Sequence, residues 1–256
     1  MKPKTEKAIH AHVLEQYPRE ACGVIVVRRG RERYIPCQNL ASTPDEHFVL
    51  SPRDLAEAED QGDVTAIVHS HPDVPARPSE ADRVGCERSE LFWVIVSVMP
   101  GTPSPVVADT QVIEPNGYEA PLVGRSWAHG VLDCWALCRD WYARECGVLL
   151  PDPPRADGWW DDGASDLYGD DAMRSAGFRR VDLKDIAIGD LILMQVRSKN
   201  LVPNHAAVYI GDGLILHHMA DRLSSRDVYG GYWQEVTRSV WRLSNPTPFT
   251  TVTGQP

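Results

Sequence analysis

The stretch HSHPDVPARPSEAD, residues 69–82, joins the end of an apolar strand pattern to the beginning of a helical one. The preceding VTAIV is rich in β-branched residues, and a strand alternates its side chains, so His69 and His71 lie on one face. Ser79 is typical of a residue that opens a helix. Asp82 then lies in the first helical turn, which can fold back over the end of the strand.

Two interpretations of this junction stay open. Two imidazoles and one carboxylate form the three-ligand set of a catalytic zinc whose fourth position is open to water. Such an ion would lower the pKa of water towards about 7 and polarise a scissile carbonyl. The structural alternative is that His-x-His is incidental, and that Ser79 and Asp82 form a variant of the capping box at a helix N-terminus.

The first 115 residues mix helix and strand patterns. The segments are a helix TEKAIHAHVLEQ, paired strands ACGVIVV and ERYIPC, a short helix SPRDLAEAEDQG and a buried strand LFWVIVSV. This mixture favours a compact α/β domain over residues 1–115. Pro, Asn and Gly in residues 116–124 predict a linker.

Residues 125–244 have a different character. They begin with one strong helix, CWALCRDWYARECG, and continue with strands such as GDLILMQV, NHAAVYIG and LILHHM. A helix followed by strands predicts an α+β domain. Residues 245–256 predict a flexible C-terminal tail.

Cys134 stands where this helix begins, directly after a possible N-cap, Asp133. Unpaired N–H groups and the helix dipole stabilise a thiolate there, and a lowered thiol pKa suits a nucleophile. Cys138 and Cys146 on the same helix are better explained as packing residues, an interpretation also open for Cys134. Because no CxxC pair occurs among the six cysteines, we expect free thiols.

The segment NHAAVYIGDGLILHHM predicts a hairpin with Gly-Asp-Gly at the reversal. With a three-residue loop, His205 and His217 share a face, whereas a register slipped by one residue would present His218 instead. A base histidine, a second polar residue that orients its ring and a helix-borne cysteine opposite them form the papain-like arrangement.

The pattern His-x-His-Pro followed by Ser-x-x-Asp resembles the signature of the JAMM metalloproteases, and PREACGVIVV supplies the glutamate that this family places before an early strand. The resemblance implies a cytidine-deaminase-like α/β fold and cleavage of isopeptide or peptide bonds. It also implies zinc ligands at His69, His71 and Asp82. By the same resemblance, Glu20 of this chain would be the general base, and Ser79 would help to bind the developing oxyanion.

The second half resembles the NlpC-type papain-like cysteine peptidases of bacterial cell walls. The matching pieces are the Asp-Cys helix start, IGDLI, HAAVYIGDG and a histidine twelve residues after the first. The resemblance implies Cys134 as the nucleophile, His205 as the base and His217 as the third member, with His218 as the alternative. It also implies peptidoglycan stem peptides as substrates. The family commonly has Ser-Gly after Asp-Cys, and Trp135-Ala in this chain suggests a specialised branch.

The order of the two domains resembles that of a family of tail assembly proteins from lambda-like phages. This resemblance implies a product made in the host cytoplasm that acts at the tail tip, with other phage tail-tip proteins as partners. The N-terminal sequence has no apolar segment typical of an export signal, which agrees with that expectation.

Composition argues against two classes of function, and the motifs leave three hypotheses open. A formal charge of −10 argues against nucleic-acid binding. No apolar run approaches the roughly 18 residues of a membrane span. The remaining hypotheses are a bifunctional peptidase, a tail assembly or structural factor with little or no hydrolytic activity, and a cellular JAMM isopeptidase.

Overall fold

The structure is a computed structural model that describes residues 1–156, 158–162 and 165–244. It divides into two compact units, Met1–Glu119 and Ala120–Pro256. The predicted tail, residues 245–256, lies outside the described residues. In the part of the chain that is described, no helix is long and apolar enough to cross a membrane.

The first unit is a mixed α/β fold, as the sequence predicts. Its elements are α1 (Pro3–Gln16), β1 (Cys22–Arg28), β2 (Arg31–Cys37), α2 (Pro52–Glu59), β3 (Asp63–Pro72), α3 (Glu80–Ser89), β4 (Phe92–Met99) and β5 (Val106–Ile113). The strand order is β2-β1-β3-β4-β5. β3 and β4 run parallel, and the other neighbours pair antiparallel.

Both faces of this sheet are covered. Ile9 of α1 belongs to the same buried cluster as Val68 of β3. On the opposite face, Ala58 of α2 packs with Val24 of β1. β3 is therefore a central strand with apolar packing on both sides, and its carboxyl end carries the two histidines of the opening motif.

The second unit contains one long helix and an antiparallel sheet. Its elements are α4 (Cys134–Cys146), α5 (Asp170–Ser175), β6 (Phe178–Val181), β7 (Leu191–Met194), β8 (His205–Gly211), β9 (Leu214–His217), β10 (Ser225–Val228), α6 (Tyr232–Glu235) and β11 (Thr237–Leu243). The strand order is β10-β9-β8-β7-β11-β6. The predicted α+β order, helix first and strands after, is confirmed.

Adjacent residues of β8 face two different cores. Ala206 and Val208 pack with α4 in the larger cluster of this unit. Ala207 points to the other face, where the partly buried ring of Trp233 from α6 packs. The alternation of β8 therefore assigns His205, two residues before Ala207, to the face of Trp233.

Two candidate active sites

The side chains of His69, His71 and Asp82 converge at the carboxyl end of β3. The two Nε2 atoms lie 3.1 Å apart, and Asp82 places Oδ1 3.1 Å from His69 Nε2 and Oδ2 3.4 Å from His71 Nε2. Bonds of about 2.0–2.1 Å in a tetrahedron separate zinc ligand atoms by about 3.3 Å. The donor atoms therefore fit one ion, and zinc held there would polarise a carbonyl and lower the pKa of water.

Neighbouring groups fix the orientation of both imidazoles. His71 Nδ1 lies 3.1 Å from the carbonyl of Pro75, to which it donates, so Nε2 stays free to bind a metal. The ring of His69 stacks on Phe48 at a centroid distance of 4.6 Å and meets the edge of Trp93 at 5.4 Å. Packing and a hydrogen bond thus hold the two rings in place.

Ser79 and Asp82 form a capping box at the start of α3. The N–H of Asp82 donates to Ser79 Oγ at 3.0 Å, and the N–H of Ser79 donates to Asp82 Oδ2 at 2.7 Å. The structural alternative considered for this pair is therefore present together with the converging histidines. The capping bonds also orient the carboxylate, because they leave Oδ1 facing His69.

The charges of this cluster follow from burial and pairing. Burial raises the pKa of Asp82, but its bonds to the two histidines outweigh burial and hold the pKa below its usual range. Burial lowers the pKa of His69. Burial also lowers the pKa of His71, but the hydrogen bond and the charge of Asp82 prevail, so this pKa lies above its usual value.

Glu20 is buried directly before β1, close to this cluster. Burial raises the pKa of its carboxyl to about 8, although the charge of His71 acts in the opposite direction. Its backbone is fixed at both polar groups, because its N–H donates to Pro44 and its carbonyl accepts from Asn39. A cavity of about 300 Å³ opens beside it. A carboxyl with a pKa near neutrality can both take and give a proton.

In the second unit, Asp133 is the N-cap of α4 and holds the position of Cys134. One carboxylate oxygen accepts from the N–H of Ala136 at 2.8 Å. The other accepts from Arg155 Nε at 2.6 Å and from the N–H of Gly130 at 3.0 Å. The Asp133 and Arg155 side chains are each only 3% exposed, so a buried ion pair fixes the start of the helix.

The thiol of Cys134 is buried, and burial raises its pKa to about 11. The N–H of Ala206 and the hydroxyl of Tyr168, whose oxygen lies 3.7 Å from Sγ, act in the opposite direction. The expectation of a lowered thiol pKa at this helix start is therefore not met, because burial and the charge of Asp133 outweigh the groups that lower the pKa. A base must take the thiol proton before attack.

The histidine pair forms as the three-residue loop predicts. Ala207 pairs with His217 across the hairpin, so His205 and His217 share a face. His205 Nε2 lies 3.0 Å from His217 Nδ1, and His217 Nε2 lies 3.0 Å from Asp227 Oδ2. The ring of Trp233 packs against both, with centroid distances of 6.0 and 4.5 Å.

His218 makes other contacts. Its Nε2 bonds to the carbonyl of Arg222 at 3.0 Å, and its ring meets the edge of Trp127 at 5.1 Å. Within the described ranges, no hydrogen bond joins His218 to His205. The slipped register that would make it the third member is not the one observed.

The thiol approaches β8 at the N–H of Ala206, the residue directly after His205. Among the described residues, Cys134 and His205 share no hydrogen bond, since the thiol contacts Tyr168 and His205 Nε2 contacts His217. Burial lowers the pKa of His205 to about 3. His205 is therefore neutral.

Two residues near the thiol site could not be predicted from the sequence, and a third differs from the NlpC pattern. Tyr168 comes from an irregular loop, and Asp227 comes from the four-residue strand β10. Neither segment has a periodic pattern, and both contacts are long-range. Trp135, where the NlpC pattern has a small residue, is 2% exposed and donates Nε1 to Pro151 at 3.0 Å. Its ring packs in the core of this unit against Tyr168, at a centroid distance of 5.5 Å.

Fold and site geometry together define a protein with a JAB-type domain followed by an NlpC/P60-type domain. The family of prokaryotic homologues of the JAB domain matches residues 2–109, and the NlpC/P60 family matches residues 123–242. Tail tip assembly protein K of Escherichia phage N15 is 42% identical over 245 residues, 96% of each chain. The chain therefore belongs to the tail tip assembly protein K family.

Two further relatives match part of the chain. Tail tip assembly protein K of Escherichia phage lambda is 40% identical over 193 residues, which are 75% of this chain and 88% of that protein. A probable TtuB-protein conjugate cleaving protease of Thermus thermophilus is 34% identical over 118 residues, 44% of this chain and 74% of that protein.

Proposed function

We propose that the chain acts in the assembly of a phage tail tip and carries two peptidase sites. One is a zinc-dependent peptidase or isopeptidase, and the other is a thiol peptidase acting on peptidoglycan stem peptides. The observation that supports this proposal best is that one chain holds two separate, fully populated sets of reactive side chains. Its proposed partners are other tail-tip proteins, and its proposed location is the host cytoplasm during assembly and then the tail tip.

In the first unit, His69, His71 and Asp82 would hold zinc. Glu20 would take a proton from the attacking water and return it to the leaving amine, a role supported by its buried position beside His71 and Asp82. The Ser79 hydroxyl accepts from the N–H of Asp82, so its own proton is free to bond to the developing oxyanion.

In the second unit, His205 Nδ1 would take the proton of Cys134 as Sγ attacks the peptide carbonyl. The C–N bond then breaks, and His205 gives the proton to the leaving amine. Water hydrolyses the resulting thioester with His205 again as the base. His217 orients the ring of His205 through the bond at 3.0 Å.

Digestion of purified stem peptides by the full-length protein tests the thiol site. We expect that Cys134→Ala abolishes cleavage, because Cys134 Sγ is the proposed attacking atom that forms the thioester. Chelation leaves cleavage intact, because the metal ligands belong to the other unit. The matched control is Cys138→Ala, which removes a buried thiol one turn further along α4 and keeps activity. Cleavage that survives in Cys134→Ala, or that is lost with chelator, would contradict the proposal.

One observation favours the second candidate, an assembly factor with little hydrolytic activity. The thiol of Cys134 is buried with a raised pKa and bonds to Tyr168. If peptides and tail proteins stay uncut and the purified protein holds no metal, this candidate prevails. The third candidate, a cellular isopeptidase, is supported by the 34% identity over 118 residues with the probable TtuB-protein conjugate cleaving protease of Thermus thermophilus.

A further inference from the structure

We propose that Asp227 is a positioning residue for the thiol site, which fixes the tautomers of His217 and His205 so that His205 presents an unprotonated Nδ1 to Cys134. The inference rests on the proposed thiol peptidase function of this unit. It adds to that function a carboxylate at the far end of the histidine pair.

Strand register brings Asp227 to the histidines. In the ladder between β9 and β10, Ser225 pairs directly with His217. Asp227 follows two residues later and therefore shares the face of Ser225 and His217. Its Oδ2 lies 3.0 Å from His217 Nε2, while Ser225 Oγ donates to its Oδ1 at 3.1 Å. Each carboxylate oxygen therefore has a polar neighbour, one on Ser225 and one on His217.

The direction of each hydrogen bond follows from which atoms can donate. A carboxylate only accepts, so its approach to 3.0 Å from His217 Nε2 favours the tautomer that carries the proton there. A neutral imidazole has one N–H, which leaves His217 Nδ1 as an acceptor, so His205 Nε2 must donate to it. The same rule leaves His205 Nδ1 unprotonated. This order of hydrogen bonds leaves His205 Nδ1 able to accept the proton of the Cys134 thiol.

The surroundings keep His205 and His217 neutral and leave the carboxylate of Asp227 in contact with water. His205 and His217 are 4% and 1% exposed, and Trp233 packs against both rings. Burial lowers the pKa of His217, although Asp227 acts in the opposite direction. The side chain of Asp227 is 40% exposed, so its charge remains in contact with water.

Charged and titratable neighbours on the adjoining segments do not replace Asp227. His218 and Arg222 follow β9, and both disfavour additional positive charge on the pair. Asp227 is the carboxylate whose charge favours a proton on His217. We therefore expect that removal of Asp227 lets His217 adopt the tautomer with the proton on Nδ1 as well.

The test uses the full-length protein and the variant Asp227→Ala. Nitrogen-15 NMR of the imidazoles should show the Nε2–H tautomer for both histidines in the unaltered protein. In Asp227→Ala, we expect His217 to acquire a substantial Nδ1–H population. Stem-peptide cleavage should lose about 10–100-fold in kcat with KM within about twofold, the size of effect found for residues that orient metal-binding imidazoles.

Two further variants keep the test decisive. Asp227→Asn retains an acceptor of the same size and should recover part of kcat. Asp171→Ala removes an aspartate whose side chain is fully exposed in the same unit and should change neither tautomer nor rate. Unchanged tautomers in Asp227→Ala would overturn the inference whatever the activity. If the unaltered protein cuts no stem peptide but the tautomers shift, the proposed function fails and the positioning role stands.

Discussion

At the scale of single residues, Asp82 takes part in two sets of contacts that reinforce one another. Its N–H and Oδ2 form the capping box with Ser79, while Oδ1 faces His69. The helix start therefore sets the rotamer of a ligand before any ion binds. A zinc ligand held in this way loses little conformational entropy on binding, which favours occupancy.

We expect the purified protein to contain about one zinc per chain, since three protein ligands make one site. His71→Ala should remove most of that zinc, because one imidazole and one carboxylate hold a zinc ion weakly. The measurement is metal content by mass spectrometry after gel filtration.

The matched control is His10→Ala, which removes an imidazole of α1 that lies outside the cluster. It should leave zinc content unchanged. Equal zinc in His71→Ala and in the unaltered protein would show that the ligand set is wrong.

At the scale of elements, the beginning of α4 depends on Asp133 more than on helix propensity. Asp133 caps the helix, and its ion pair with Arg155 ties the helix start to the loop that follows α4. Arg155 also donates to the carbonyl of Gly130 at 2.9 Å. The position of Cys134 is therefore set by a buried charge network.

Asp133→Ala should destabilise the second unit by about 3–5 kcal/mol, because it leaves Arg155 buried without its partner and removes the cap. The free energy of unfolding is measured by urea titration with circular dichroism. Asp171→Ala, which removes an exposed aspartate near the start of α5, should change it by less than about 0.5 kcal/mol. Equal small effects from the two variants would refute a central role of the network.

Sequence patterns predict those elements whose own residues carry the signal. The β8–β9 hairpin has Gly-Asp-Gly at its reversal, so the pairing of Ala207 with His217, which puts His205 and His217 on one face, follows from local sequence. β5 and β10 are edge strands whose residues are exposed or half-buried, and they give no such signal. The contacts of Asp227 and Tyr168 with the site depend on long-range pairing and loop packing, which no short window of sequence contains.

At the scale of the whole molecule, each unit has its own hydrophobic cores. Buried clusters around Val68 and around Val24 stabilise the first unit. Clusters around Trp241 and around Ile192 stabilise the second. The candidate metal ligands belong to the first unit and the thiol site to the second, so a ligand of one site should stabilise one unit.

Calorimetry of the full-length protein should therefore show two unfolding transitions that respond to different changes. Chelation should lower the Tm of one transition by at least about 5 °C, because a bound ion stabilises only the state that binds it. Asp133→Ala should lower the Tm of the other transition and leave the chelator-sensitive one unchanged. His71→Ala should behave like chelation and become insensitive to added chelator. A single transition that moves with both changes would show that the two units unfold as one cooperative body.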